Sequence, residues 1–390
     1  MALDIPLIQR ALAEDALDGW LLYDFHGSNP IAQSLTGLTG RHTTRRWYYF
    51  IPANGTPRKL VHAIEAGVLA HLPGDTRRYA GRLQLSAGLA ETVQGARRIA
   101  MEYSRRCAIP YISRVDAGTI EAVSDCGVSV ESSGDLVGRF EAAWDAEQVA
   151  SHRAASEKLY RIKDAAFEYI AREIRANRVV DELGVQRQMR SWFADEDLVT
   201  DAPPIVAVDE HTGDPHYGPT ADTSLGIGRN SLVLLDLWGK LNQPGAVYAD
   251  ITWTGVTGSP STEVETVFGV VMAGRDAALK QVQNAVAAGR AIRGWEVDRA
   301  ARDVIAAAGY GDQFVHRTGH SLGQDVHGNG VHMDDYETHD DRRLLPGTGF
   351  TIEPGVYSGR FGIRSEINVV IGDRDASPTG PLQRALVSIG

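Results

Sequence analysis

The chain has 390 residues, 43% hydrophobic and 23% charged, the composition of an ordinary globular protein and not of a collagen, a disordered tail or a coiled coil. A net charge of -11 repels phosphate backbones and anionic lipid, which sets nucleic acid and membrane aside as partners, and no apolar run approaches the roughly 20 residues that cross a bilayer. At roughly 150 residues per domain the length allows two or three domains, and two cysteines, Cys107 and Cys126, are too few for a disulfide framework or a thiolate metal site, so both are expected to be reduced packing residues.

The first residues, MALDIPLIQRALAEDALDGW, show early acids and no basic stretch before an apolar one, so the mature chain is expected to begin at its start and to stay in the cytoplasm. Apolar positions at helical spacing over residues 5–17 predict a helix that Gly19 stops, and Trp20 to Tyr23 predict a strand. Further strands are predicted at Arg46 to Ile51, Lys59 to His62 and Arg98 to Tyr103, among helix-like Ala and Leu stretches. This is an α/β layout to about residue 140. From Glu141 to about Asn177 the spacing of Tyr160, Ile162, Ala166, Ile170 and Ile174 predicts a long helix with one apolar face, the bridge into a second domain. Beyond residue 200 the chain turns to short strands with Gly, Pro and Asn turns, and a largely helical stretch runs from about Glu263 to Ile305.

Acids fall inside apolar strands at two places. The first is Ser231-Leu-Val-Leu-Leu-Asp236, a turn-like Asn242-Gln-Pro-Gly245, then Val247-Tyr-Ala-Asp250-Ile-Thr252. A fold-back about residue 243 sets Asp236 opposite Asp250, with Cβ atoms about 5 Å apart. The second is Phe350-Thr-Ile-Glu353, a Ser358-Gly-Arg-Phe361 turn, then Gly362-Ile-Arg-Ser-Glu366-Ile. A turn centred between residues 359 and 360 sets Glu353 opposite Glu366. A buried carboxylate is costly unless protonated, paired or metal-bound. Two anions about 5 Å apart repel by about 3 kcal/mol at an effective dielectric near 20, and four clustered acids multiply that. Divalent cations reverse the sign. Between the hairpins lies Phe314-Val-His316-Arg-Thr-Gly-His320-Ser-Leu-Gly-Gln-Asp-Val-His327, where Gly319 and Gly323 allow a close backbone approach around His320. Four oxygen ligands and one imidazole suit two ions such as Mn²⁺ or Co²⁺ better than a sulfur-bound zinc.

With these residues the sequence resembles the pita-bread metallopeptidases, the group of methionine aminopeptidase, aminopeptidase P, prolidase and creatinase. The resemblance rests on the Asp236 and Asp250 pair with Asp-Ile-Thr, His316-x-x-x-His320-x-Leu-Gly, Asp-Val-His327, Glu353-Pro-Gly and Arg364-x-Glu366. It implies an α+β chain: a creatinase-like α/β amino-terminal domain over residues 1–140 and a pita-bread catalytic domain over 141–390. That two-domain layout speaks against methionine aminopeptidase, and the filled ligand positions speak against creatinase. The resemblance implies two divalent ions, Mn²⁺ first with Co²⁺ or Zn²⁺ as alternatives, about 3.5–4 Å apart and sharing a water as the nucleophile. Asp236 and Asp250 would hold one ion, His320 and Glu353 the other, with Asp250 and Glu366 bridging. Glu353 would also shuttle the proton, His216 would line the substrate side, and His327 would donate to the tetrahedral intermediate. Arg364 is expected to orient Glu366 or the substrate, with Thr252 as a supporting partner.

The implied substrates are short peptides with proline after the scissile bond, cut by a cytoplasmic homodimer. The resemblance is nearest to prolidase, the Xaa-Pro dipeptidase, with aminopeptidase P, acting on longer peptides, as the alternative. A dipeptidase binds a free carboxylate, for which Arg342, before Leu-Leu-Pro346-Gly, is the candidate. Two departures bear on the pocket: Trp253 stands where relatives carry Arg in Asp-Ile-Thr-Arg-Thr, and the gap from Asp236 to Asp250 is longer than usual. Two other classes compete. Gly319-His-Ser321-Leu-Gly323 matches a serine-hydrolase nucleophile elbow, although the residues before it are too polar for the buried strand that motif needs. The other is a binding module that kept the fold and lost catalysis, which intact ligands argue against.

Overall fold

In a computed structural model, which describes residues 3–390, the chain divides into two compact units, residues 1–142 and 143–390. The architecture is α+β.

The first unit is built on a six-stranded mixed sheet. In chain order its elements are α1 (Ile5–Glu14), β1 (Gly19–Asp24), α2 (Pro30–Thr36), β2 (Trp47–Pro52), β3 (Arg58–His62), β4 (Asp75–Tyr79), α3 (Arg82–Thr92), β5 (Arg98–Met101), α4 (Ala117–Ser124), β6 (Ser129–Ser132) and α5 (Gly134–Phe140). The sheet order is β4-β3-β2-β1-β5-β6. Every residue of β1 and β2 is buried, which explains their continuous apolar runs. The edge strands β4, Asp-Thr-Arg-Arg-Tyr, and β6, Ser-Val-Glu-Ser, escape the sequence analysis because their side chains are largely polar and exposed. Helices α1 and α2 start at Asp4 and Asn29, whose side chains accept from the Leu7 and Ala32 amides. Cys107 is exposed, which corrects its expected packing role, and Cys126 is half-buried.

The second unit opens with α6 (Ala146–Arg175), capped by Asp145 and Gln148 in a reciprocal box, followed by α7 (Glu182–Asp195). Strands β7 (Leu198–Val199), β8 (Ile205–Val208), β9 (Leu232–Leu241) and β10 (Ala249–Val256) follow. The stretch expected to be largely helical to Ile305 is two helices, α8 (Thr262–Ala287) and α9 (Gly294–Ala307). Gly289 at φ 65° lets the Arg290 amide turn back to Ala285 O, and the helix ends there. The remaining strands are β11 (Ser321–Leu322), β12 (Gly349–Ile352), β13 (Gly355–Tyr357), β14 (Gly362–Arg364), β15 (Ile367–Ile371), β16 (Ala376–Pro378) and β17 (Val387–Ser388).

One sheet runs β17-β10-β9-β7 with β8 also on β9, a second runs β11-β12-β15-β16, and β13 pairs with β14. Alternation along β9 and β10 sorts their side chains. Val233, Leu235, Leu237, Ala249 and Ile251 join Leu159, Ile162, Ala166 and Ile170 of α6 in one core. The even-numbered residues, Asp236 and Trp238 on β9 and Asp250 and Thr252 on β10, are therefore turned to the opposite face. Trp253 belongs to the α6 side, edge-on to Tyr160 at 6.0 Å and 3.8 Å from the Lys163 ammonium. The change from arginine at that position thus alters the packing behind the sheet, not the lining of the cleft described next.

Candidate metal centre

A cleft of about 490 Å³ opens on that face, and Asp236, Asp250, His320, Glu353 and Glu366 all line it. The first hairpin differs in register from the expectation. Asp236 pairs with Thr252, and Asp250 with Trp238, because the seven-residue link 242–248 centres the fold-back one residue later. The carboxylates are diagonal neighbours instead of directly opposed. A slip of two in the pairing preserves side-chain parity, so both still share one face. The second pair keeps the expected register: Ile352 pairs with Ile367 in one ladder and Gly355 with Arg364 in the next, and Glu353 and Glu366 sit in the gap between them.

His320 precedes β11 and is drawn against β12 through Gly319, where a Cβ would lie 2.0 Å from Thr351 O. Its amide donates to Thr351 Oγ1 at 2.9 Å, and its Nδ1 lies 3.1 Å from Ser321 O. A carbonyl can only accept, so Nδ1 carries the proton and the Nε2 lone pair faces the acids. Nε2 is 3.6 Å from Asp250 Oδ2 and 3.4 Å from Glu353 Oε1. Ligand atoms of Asp250, His320 and Glu366 all lie within 4.8 Å of one another.

The electrostatics are those of a cage built for cations. Burial, then repulsion from Glu366, Asp236 and Glu353, holds the Asp250 carboxyl well above its ordinary range. Glu366 is raised in the same way, by burial and then by Glu353 and Asp236. Burial is again the first cause at Glu353, pushed up to about 7, and at Asp236, raised less because Arg364 opposes it. Burial keeps His320 neutral. Asp250 Oδ1 and Glu366 Oε1 are buried and accept no hydrogen bond. Two inward-facing lone-pair sites beside a neutral imidazole fit a divalent ion better than any arrangement of protons.

The supporting contacts are specific. Thr252 Oγ1 donates to Glu366 Oε2 at 2.8 Å, and the Asp250 amide donates to Asn368 Oδ1 at 2.9 Å. Arg364 donates to Asp236 Oδ2 at 2.5 Å, to Thr252 Oγ1 at 3.1 Å and to the Tyr357 hydroxyl at 3.0 Å. It therefore positions Asp236 directly and reaches Glu366 by hydrogen bonds through Thr252, and it also lines the cleft. Tyr357, which the sequence did not single out, carries the network on to His316 Nε2 at 2.9 Å. His316 Nδ1 faces Arg317 O at 2.7 Å, and burial holds this ring neutral with a pKa near 3.

His216 and His327 also line the cleft, and the His327 ring meets His320 edge-on at 4.4 Å. The segment bearing His216 is pinned by Glu182 at the start of α7. That fully buried carboxylate accepts from the Val208 amide (2.7 Å), the Tyr217 hydroxyl (2.7 Å) and the Leu225 amide (2.8 Å), and lies 3.0 Å from His211 Nδ1. Asp298 performs the same service before His320, accepting from the Thr318 amide and hydroxyl at 2.9 and 2.7 Å. Neither is visible as functional in the sequence, because each acts across a contact distant along the chain.

Arg342 is not among the residues lining the cleft. Its guanidinium is buried against Asp340, with Nη2 2.6 Å from Oδ2, and donates to the Asn329 and Gly330 carbonyls. An arginine so committed braces the loop 329–342 and does not receive a substrate carboxylate. The nucleophile-elbow alternative fails too: Ser321 is in β11, paired with Phe350, and no helix follows before β12.

The chain is similar to known proteins in sequence and in fold. The "Probable dipeptidase PepE" of Mycobacterium bovis is 36% identical over 173 residues, 44% of this chain and 42% of that protein. The Xaa-Pro dipeptidase of Lactobacillus helveticus is 31% identical over 201 residues, 51% of this chain and 49% of that protein. The matches thus span about half the length of these curated relatives. The crystal structure of dipeptidase PepE from Mycobacterium ulcerans superposes over 100% of both chains with a TM-score of 0.71 at 23% identity, a likeness of fold. The model of metallopeptidase family M24 matches residues 154–373, which hold both acid pairs and His320. With more than half of its length under that one model, and the matched region folded around the cleft, the chain belongs to metallopeptidase family M24.

Proposed function

We propose that the chain is an Xaa-Pro dipeptidase working with two divalent ions, Mn²⁺ ahead of Co²⁺ or Zn²⁺, in a cytoplasmic homodimer. In this reading residues 1–142 are a creatinase-like domain and 143–390 the pita-bread catalytic domain. The observation that carries it is the pair of buried, unsatisfied oxygens, Asp250 Oδ1 and Glu366 Oε1, beside His320. Asp236 and Asp250 would hold one ion and His320 and Glu353 the other, with Asp250 and Glu366 shared. When bound, the ions supply Lewis-acid polarisation of the scissile carbonyl and acidify water.

The side chains do the rest. Glu353, with an affinity for protons near neutrality in the metal-free cleft, takes the proton from the attacking water and delivers it to the departing proline nitrogen. His327 donates to the carbonyl oxygen as charge develops there, and His216 orients the peptide. Arg364 and Thr252 keep Asp236 and Glu366 in place. A proline amide has no N–H and a fixed φ, which calls for a dedicated pocket. A cleft of about 490 Å³ suits a dipeptide, and the Lactobacillus relative is named for that substrate class.

The test is metal-stripped protein assayed on Ala-Pro and Ala-Pro-Ala with and without Mn²⁺. Hydrolysis of Ala-Pro that vanishes on chelation and returns with Mn²⁺ is expected. Cleavage of the tripeptide alone would replace the dipeptidase by an aminopeptidase, and turnover indifferent to chelation would end the metal reading.

A further inference from the structure

One wall of the cleft takes no part in the scheme above: Asp201, Ile205, Trp238 and Val326. Trp238 stands on the cleft face of β9, two residues after Asp236 and directly across the ladder from Asp250. Its indole Nε1 donates to Asp201 Oδ1 at 2.6 Å, which fixes ring and carboxylate as a unit. Asp201 is exposed, whereas the four acids at the floor are largely or fully buried. No cationic side chain pairs with Asp201 among the described residues. Lys240, two residues farther along β9, donates instead to Gln324 O at 2.5 Å and lies 4.9 Å from the Tyr248 ring.

An indole beside Ile205 and Val326, ending at an unneutralised carboxylate, is what a cation on an aliphatic stem requires. The stem covers apolar surface, and the charge meets an aromatic ring and an anion. Geometry selects which cation of a peptide arrives there. The scissile carbonyl must lie over the buried acids, and the α-ammonium, two bonds from that carbon, stays at the floor with it. Only a side chain several bonds long extends to the exposed end.

We infer that Trp238 and Asp201 form a subsite for a cationic side chain on the residue amino-terminal to the scissile bond, so that Lys and Arg are the preferred first residues of the substrate. This rests on the peptidase reading above and deepens it.

The test compares kcat/KM for Lys-Pro and Ala-Pro in the parent, D201N, D201E and W238L proteins, all loaded with Mn²⁺. The parent is expected to favour Lys-Pro by about ten-fold; D201N and W238L lower that ratio toward one, and D201E retains most of it. A second readout needs no turnover: calorimetric binding of Lys-Pro against Ala-Pro, and of Lys-Ala against Ala-Ala, to metal-stripped protein. The lysine peptides are expected to bind several-fold more tightly to the parent and not to D201N. A parent ratio near one in both measurements, or a ratio unchanged by D201N, overturns the subsite. Failure to hydrolyse any Xaa-Pro peptide would remove the proline reading and leave the subsite to be decided by the binding pair.

Discussion

Buried carboxylates occur in two settings in this unit, and they behave as opposites. Glu182, Asp298 and Asp340 are fully buried, and each is met by donors: four groups around Glu182, the Thr318 amide and hydroxyl with Arg302 around Asp298, and the His332 amide with Arg342 around Asp340. Asp250 and Glu366 are almost as deeply buried, yet one oxygen of each has no donor, and after burial the strongest influences on each are other acids, with Arg364 opposing them less. A carboxylate surrounded by N–H and O–H groups is finished by the protein and holds loops in place. One whose lone pairs are left to face other anions is finished by something the protein must bind. Burial alone does not separate structure from function here; the inventory of donors does.

The largest consequence concerns Asp250. D250N removes a charge from the cage and is expected to lower kcat/KM on Ala-Pro by about a thousand-fold or more, equivalent to about 4 kcal/mol. The same substitution is expected to raise the melting temperature of metal-free protein at pH 8, by relieving repulsion, and to abolish the rise that Mn²⁺ gives the parent. Calorimetry with and without Mn²⁺ checks both signs. A D250N protein that retains turnover, or whose metal-free form melts lower, breaks the contrast.

The opposite sign is expected at Glu182. E182Q presents an amide N–H₂ to groups that themselves donate, leaving buried donors unsatisfied at a cost of about 1–3 kcal/mol. Denaturant unfolding should show that loss whether or not Mn²⁺ is present. Activity falls as a secondary effect, because the segment 208–217 carries His216 into the cleft. If E182Q were as stable as the parent, the donors around it would not be holding the loop.

How much of this was open to sequence reasoning follows the same division. Acids interrupting Val, Ile and Leu runs are conspicuous, and the tight turn near residue 359 made the pairing of Glu353 and Glu366 readable. The pairing of Asp236 lies two residues beyond the expected partner because the link 242–248 is held by distant contacts, such as the Asn242 amide on Asp197 O, which no local turn pattern reveals. Arg342 was misplaced for a similar reason: a charged pair two residues apart looks the same in sequence whether it is solvated or sealed under a loop. Tyr357, Glu182 and Asp298 were missed because their work depends on which element packs beside them. The edge strands β4 and β6 were missed because their solvent-facing side chains leave no apolar period.

A smaller effect sharpens the comparison at the level of a single hydroxyl. Thr252 donates to Glu366 Oε2 and accepts from Arg364, which in turn donates to Asp236, so one hydroxyl and one guanidinium link two of the cage acids. T252V keeps the shape and removes the link, and is expected to weaken Mn²⁺ binding by about 10–100-fold with little change in metal-free stability. Titration followed by calorimetry reads this directly. Equal Mn²⁺ affinity in the two proteins would mean that Glu366 is held by packing alone.

The mildest prediction uses pH. A carboxyl whose folded pKa is raised binds its proton more tightly in the native state, so the stability it lends is complete at low pH and is lost as pH climbs from the unfolded value through the folded one. For Glu353 that window runs from 4.5 to about 7, and Asp250 and Glu366, raised by the same burial and repulsion, extend it upward. Metal-free protein should therefore melt progressively lower as pH rises through this interval. The increment given by Mn²⁺ should grow over the same interval, because the ions bind only the ionised acids. A metal-free melting temperature that rises from pH 5 to pH 8 would show that the cage acids are paired in a way their unsatisfied oxygens do not reveal.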